Sequence, residues 1–230
     1  MKTSLTVLSF LLFAALGIAH AQTLTILKRT TSATEGSFLV SAPILASDGK
    51  VYGIASSGGL NTNGAIYRMN ADGSGYVPLL QFASATSGRG NTSPIIEATN
   101  GKLYGACPFG GTNNGGTLWR MDKSGANFEV LVAFLPAVDG DRCCSGLIQA
   151  SDGKLYGTTY SGTGGTAGGI FRMDPDAGGS SFQQLHAFSM ATEGKASVGT
   201  VLEGSDGRIY GTTSESAANN YGTIWRIDKD

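Results

Sequence analysis

The chain is short of the residues that carry acid–base, thiol and metal chemistry. It has two histidines and three cysteines in 230 residues, and only 14% of it is charged. His20 lies in an apolar leader, which leaves His186 as the one imidazole of the remainder. No CxxC pair exists among Cys107, Cys143 and Cys144, so neither a zinc framework nor a dithiol redox motif is present. Three thiols admit one bond and one free group, or none. A bond between the neighbours Cys143 and Cys144 would strain the peptide, so a bridge would run from Cys107 to one of them. Formal net charge is -1 with no basic run, which leaves a nucleic-acid role unsupported. No cofactor or metal motif is found.

Long apolar runs are missing as well, except at the N-terminus. Lys2, the apolar stretch 5–18 and Ala19-His20-Ala21 form a secretory signal peptide over residues 1–21, with cleavage before Gln22. The stretch is shorter than the roughly 20 residues that span a bilayer. The chain is therefore expected to be secreted, extracellular or periplasmic, with no membrane span and residues 22–230 as a single domain.

Glycine is what the chain has in abundance, 35 residues beside 41% hydrophobic ones. That balance fits many short strands joined by tight turns, and it is too apolar for disorder. The glycines recur in a pattern. Ser151-Asp152-Gly153-Lys154-Leu155-Tyr156-Gly157 has counterparts at Ser47, Thr99 and Ser205, so that Asp48, Asn100, Asp152 and Asp206 follow one another at nearly equal intervals. Tyr52, Tyr104, Tyr156 and Tyr210 each precede an arginine by sixteen positions: Arg68, Arg120, Arg172 and Arg226. A period near 50 with strand-like segments predicts a propeller or solenoid.

Each repeat reads as four strands, over about 42–82, 94–134, 146–188 and 200–230. A short apolar run leads to an Asp-Gly hairpin turn, where glycine tolerates positive φ. The Tyr-Gly strand follows, then a strand whose alternation puts Ile66, Leu118, Ile170 and Ile224 on one face and Tyr67, Trp119, Phe171 and Trp225 on the other. The fourth strand is missing from the last repeat. Residues 23–30 hold its register, because Leu27 precedes Asp48 by the same interval at which Leu79, Leu131 and Leu185 precede Asn100, Asp152 and Asp206. The expected fold is thus an all-β propeller of four blades with four antiparallel strands each, closed by this N-terminal strand. A piece of a longer array, or two half-rings joined in a dimer, are the competing arrangements.

The repeat D-G-x-L-Y-G-T-T, then G-G, then G-T-I-F resembles the GloVer-type repeats of "choice-of-anchor tandem repeat" proteins. The resemblance covers nearly all of the chain after the leader. It implies an exported bacterial propeller-like protein without an established chemistry. A C-terminal sorting segment, frequent in such proteins, does not follow the last repeat here.

The recurring Asp/Asn, Tyr and Arg positions are read as structural, since asparagine substitutes for the acid at one turn. Buried guanidinium groups need partners, from main-chain carbonyls or the turn aspartates. Ligand candidates lie in the variable loops, which are rich in Gly, Ser, Thr and Asn: Asn61, Asn63, Phe109, Asn113, Asn114, Tyr160 and Tyr221. Amide hydrogen bonds beside an aromatic ring suit an extracellular glycan or a surface protein. His186 falls on an outer strand, away from the loops, which disfavours a general base. Glu35, Asp139 and Glu193 share one position in the repeat, each equally far ahead of its turn aspartate; such recurrence reads as another turn and not as a paired-carboxylate site. A non-catalytic binding module is expected, with a polysaccharide lyase or hydrolase, or a purely structural exoprotein, as alternatives.

Overall fold

The computed structural model describes residues 23–30, 34–139, 142, 146–160, 167–196, 199–215 and 221–230. The leader, Cys143 and Cys144 lie outside them. Four antiparallel sheets follow one another along the chain. The first holds β1 (Ile44–Leu45), β2 (Lys50–Ala55), β3 (Ala65–Asn70) and β4 (Val77–Gln81). The second holds β5 (Ile96–Glu97), β6 (Leu103–Cys107), β7 (Thr117–Met121) and β8 (Glu129–Ala133). In the third, β9 (Ile148–Gln149), β10 (Leu155–Thr159), β11 (Gly169–Met173) and β12 (Gln183–Ala187) repeat that order, with a 3-10 turn at Gly178–Ser181.

The fourth sheet departs from it. Its strands are β13 (Lys195–Ala196), β14 (Leu202–Glu203), β15 (Ile209–Glu215) and β16 (Ile224–Ile227). Both β13 and β14 pair with one side of β15, and β16 pairs only with β15. The outer edge of β16 has no neighbour among the described residues.

Local chemistry explains the hairpins. In the first, Ala46 N–H bonds to Lys50 C=O at 2.9 Å and Gly49 N–H to Ala46 C=O at 2.9 Å, giving a three-residue loop. Gly49, Gly101, Gly153 and Gly207 take φ between +75° and +80°, which only glycine adopts without strain. Asp48 accepts the Lys50 N–H at 3.1 Å, and Asn100, Asp152 and Asp206 do the same at their turns. The first strand of each repeat is two residues long, and the turn begins at once after it.

Alternation along the third strand builds the interfaces between sheets. Ile66 joins Tyr52, Ile54 and Phe82 of the first sheet to Leu103, Trp119 and Met121 of the second. Leu118 lies on the opposite face from Trp119 and packs with Phe171 and Met173 of the third sheet. Tyr156, Ile170 and Phe188 then meet Ile209 and Trp225 of the fourth. No such cluster joins the fourth sheet to the first among the described residues.

No closure of the row of sheets by residues 23–30 is seen among the described residues. That segment carries no strand pairing and lies against the first sheet. A Cβ at Gly73 would stand 2.6 Å from the Leu27 carbonyl, so chain and turn touch there. Lys28 binds Glu35 at 2.5 Å and its ammonium sits 4.9 Å from the centre of the Tyr76 ring. The segment is held by contacts to the first sheet, while its backbone and the β16 edge have no strand partner among the described residues. Among the described residues Cys107 forms no bridge. Its thiol is free and fully buried in the cluster between the first two sheets, with the Asn91 amide 3.3 Å away.

Candidate binding face

The recurring polar residues bind one sheet to the next. Tyr52 Oη lies 2.8 Å from Asp48 Oδ2 and 3.0 Å from the Lys123 carbonyl of the second sheet. Arg68 Nη1 donates to that same carbonyl at 3.4 Å. Tyr104 and Arg120 donate to the Pro175 carbonyl of the third sheet at 3.1 and 3.0 Å, and there Asn100 donates to the Tyr104 oxygen at 2.9 Å. Tyr156 donates to Asp152 at 2.7 Å, and Arg172 clips the Lys229 carbonyl of the fourth sheet. Burial and the Asp48 carboxylate push the Tyr52 phenol up to about 12. In the last repeat Tyr210 donates to Asp206 at 2.8 Å, while Arg226 is exposed.

A second clasp runs beside the first. Glu97 accepts from Ser47 N at 2.7 Å and from Lys123 Nζ at 2.5 Å; Glu203 repeats this with Ser151 and Lys229 at 2.7 and 2.5 Å. Gln149 replaces the acid at the middle junction, accepting from Thr99 N at 2.7 Å. Hydrogen bonds from Lys229 and Ser151 hold the Glu203 carboxyl down at about 2. These charges are consumed in joining sheets. In a 680 Å³ depression between the third and fourth sheets the charges pair within the fourth sheet, where Arg208 binds Asp228 at 2.6 Å and lies 3.5 Å from Asp206.

The acids at the shared position also close turns. Asp139 accepts the Leu135 N–H at 2.9 Å and Glu193 the Ser189 N–H at 2.8 Å, while Ser87 accepts the Ala83 N–H at 2.7 Å. Glu193 also meets His186 Nε2 at 3.1 Å. Lys28 and Glu35 form the same pair at the corresponding place before the first sheet, so the His186–Glu193 contact is a repeated feature of the fold.

The loops place the ligand candidates in two groups. Asn113 donates to the Ala133 carbonyl at 2.8 Å, and Asn114, with φ 59°, closes a turn onto Gly111 at 3.1 Å. Asn63 bridges to Gly58 and Asn61 is exposed. Tyr221 is 78% exposed. The Asn113 amide is thus spent on the framework.

Phe109 and Tyr160 stand in a different setting. The guanidinium groups of Arg89 and Arg142 each lie 5.6 Å from the centre of the Phe109 ring, and Lys195 Nζ lies 5.7 Å from that of Tyr160. Main-chain bonds fix the arrangement. Arg89 N–H donates to the Phe109 carbonyl at 2.8 Å, and Tyr160 N–H to the Arg142 carbonyl at 3.3 Å. Arg142 thereby ties the loop of the second sheet to the end of β10, and it does so at φ 51°, a conformation uncommon for any residue but glycine. Neither guanidinium has a carboxylate partner among the described residues, and both arginines are exposed. A cation over an aromatic face is favoured by about 0.5–1 kcal/mol at such sites. These basic residues were missed in the loop composition. The signal lies in the repeat, where a basic residue closely follows a recurrent glycine in Gly88-Arg89, Gly194-Lys195 and Gly140-Asp141-Arg142.

Repeated four-stranded sheets, joined face to face, define an all-β repeat protein of propeller-like architecture. The chain belongs to the Gloeobacter/Verrucomicrobia repeat family, whose model matches residues 39–230. Among curated proteins nothing matches. Similar solved structures include a chain of a nidogen/laminin complex (14% identity, 79% of this chain and 56% of that one, TM-score 0.51). TolB from Acinetobacter baumannii is similar at 17% identity, over 81% of this chain and 40% of that one, with a TM-score of 0.50. An oligogalacturonate lyase in complex with manganese matches at 16% identity, over 81% and 52%, with a TM-score of 0.51. The chain thus spans 40–56% of the length of these three, and the likeness is one of fold. Among the described residues no helix is long and apolar enough to cross a membrane.

Proposed function

We propose that the protein is an exported, non-catalytic binding module that holds an acidic extracellular carbohydrate on its loop face. The observation that carries this reading is Phe109, half-exposed between Arg89 and Arg142, with Tyr160 and Lys195 beside them. A ring supplies an apolar platform for a sugar CH face. Two guanidinium groups without a carboxylate partner among the described residues supply the forked donors that match a uronate or sulfate group. Export rests on the leader and on the resemblance to choice-of-anchor repeat proteins. In the same reading, residues 23–30 are the fourth strand of the last sheet.

The test is binding of the purified protein to a panel of acidic and neutral polysaccharides, with the mass of each glycan measured afterwards. Selective binding to acidic glycans, weakened at least tenfold by Phe109→Ala or Arg89→Ala/Arg142→Ala without a loss of thermal stability, is the expected result. Equal binding to neutral glycans, or none, overturns the acidic-glycan reading. Cleavage of the glycan overturns the non-catalytic one.

A further inference from the structure

Three interfaces in the molecule follow one pattern, and the two ends of the row of sheets carry its unmatched halves. At the first two interfaces an aromatic from one sheet meets two from the next. Phe82 packs with Trp119 and Phe128, their ring centres 5.9–6.4 Å apart. Phe134, Phe171 and Phe182 come within 5.3–5.9 Å of one another. At the last interface Phe188 and Trp225 lie 5.7 Å apart, and no third ring joins them among the described residues. A cavity of about 290 Å³ opens there, bounded by Ile170, Phe188, Trp225 and Arg226. The residue at the position of Tyr76, Phe128 and Phe182 in the remaining fourth-strand register is Leu24, one full repeat ahead of Tyr76. Leu24 is 90% exposed. A cavity without its plug and a plug without its cavity sit at opposite ends of the chain.

The polar clip is divided in the same way. Tyr52 and Arg68, Tyr104 and Arg120, and Tyr156 and Arg172 each reach the carbonyl three residues beyond the next sheet's arginine, at Lys123, Pro175 and Lys229. Among the described residues Tyr210 and Arg226 meet no such carbonyl, and the corresponding one in the first sheet belongs to Ala71. The backbone repeats the story, since the free edge of β16 and the unpaired residues 23–30 are complementary. Ile224, on that edge, is 85% exposed.

Residues 23–30 are already committed to the first sheet of their own copy. Leu27 lies over Gly73 as Leu79 lies over Gly125, so the segment takes the place of a fourth strand preceding the first sheet. Within one copy nothing among the described residues joins it to the fourth sheet. We infer that a second copy of this chain fills the gap: residues 23–30 of each copy complete the fourth sheet of the other, and two rows of four sheets close into one eight-sheet ring. This rests on the reading that residues 23–30 are the last sheet's fourth strand, and adds that the strand acts between copies. Two identical head-to-tail contacts satisfy both open ends by two-fold symmetry. The paired register follows from Ile66↔Leu80, Leu118↔Val132 and Ile170↔His186, which sets Ile224 opposite Lys28. One element is weaker than elsewhere. The carboxamide or carboxylate of Glu97, Gln149 and Glu203 is replaced in the first sheet by Leu45, so Ser205 meets no acid there.

The test combines light scattering with engineered thiols, in a Cys143→Ser/Cys144→Ser background. Expected are twice the chain mass at high concentration, and a disulfide when Lys28→Cys and Ile224→Cys chains are mixed. Leu24→Glu should restore the single-chain mass without lowering the thermal midpoint measured under dilute conditions. A single-chain mass with a disulfide formed only inside the Lys28→Cys/Ile224→Cys double variant overturns the dimer and keeps the strand assignment. No disulfide in either arrangement overturns both, as does a larger ring or a filament for the two-copy closure.

Discussion

Gly105→Ala is the substitution whose cost the structure defines best. Glycine follows the tyrosine on the second strand of every repeat because the aromatic of the third strand lies flat across it. A Cβ at Gly105 would stand 2.3 Å from Trp119 Cζ2, and one at Gly211 would stand 2.2 Å from Trp225 Cζ2. The two clashes are nearly equal, but the rings differ in their freedom to move. Trp119 is fully buried, with Phe82 and Phe128 at 6.0 and 5.9 Å. Trp225 borders the open cavity and can swing into it. Overpacking a filled core costs about 1–3 kcal/mol, and a ring fixed on both sides belongs at the upper end. For a chain of this size, where 1 kcal/mol moves the midpoint by about 2–4 °C, Gly105→Ala should lower it by roughly 5–10 °C. Gly211→Ala should lower it by less than about 3 °C on the same scale. Both are measured by differential scanning calorimetry in the Leu24→Glu background, which leaves the cavity open. Equal losses would refute the reasoning, since they would mean that the free space beside Trp225 does not absorb the added methyl group.

Two further outcomes follow from the clasps and the core. Glu203 has a depressed folded-state pKa of about 2, so its contribution is present above the ordinary carboxylate value near 4.3 and fades as pH falls from there toward 2. Glu203→Gln should flatten the fall in thermal midpoint between about pH 4.5 and pH 2; an unchanged slope would show that the clasp does not respond to acid. Burial pushes the Cys107 thiol up to about 12, so in Cys143→Ser/Cys144→Ser it should ignore a thiol reagent at pH 8 until the protein is unfolded. Rapid labelling of the native protein would contradict its burial.

The spacing of Asp-Gly turns, Tyr-Gly pairs and arginines determines four repeats of alternating strands, because periods near 50 and 2 are local properties of the chain. Which partner each repeated residue finds is not local. Arg120 could have met Asn100 of its own turn or a carbonyl elsewhere, and the carbonyl of Pro175 became its partner only when two sheets packed. Phe109 was visible as a loop aromatic, but Arg89 and Arg142 belong to other loops, remote from it along the chain, and join it through sheet geometry. The position of Leu27 in the repeat gives residues 23–30 a fourth-strand register as an expectation. Their docking on the first sheet, with β16 left open, was decided by tertiary contacts at Gly73, Glu35 and Tyr76. Sequence specifies the repeating unit because each turn and strand is stabilised within a few residues; the junctions between units, and the ends that lack one, depend on groups that only folding brings together.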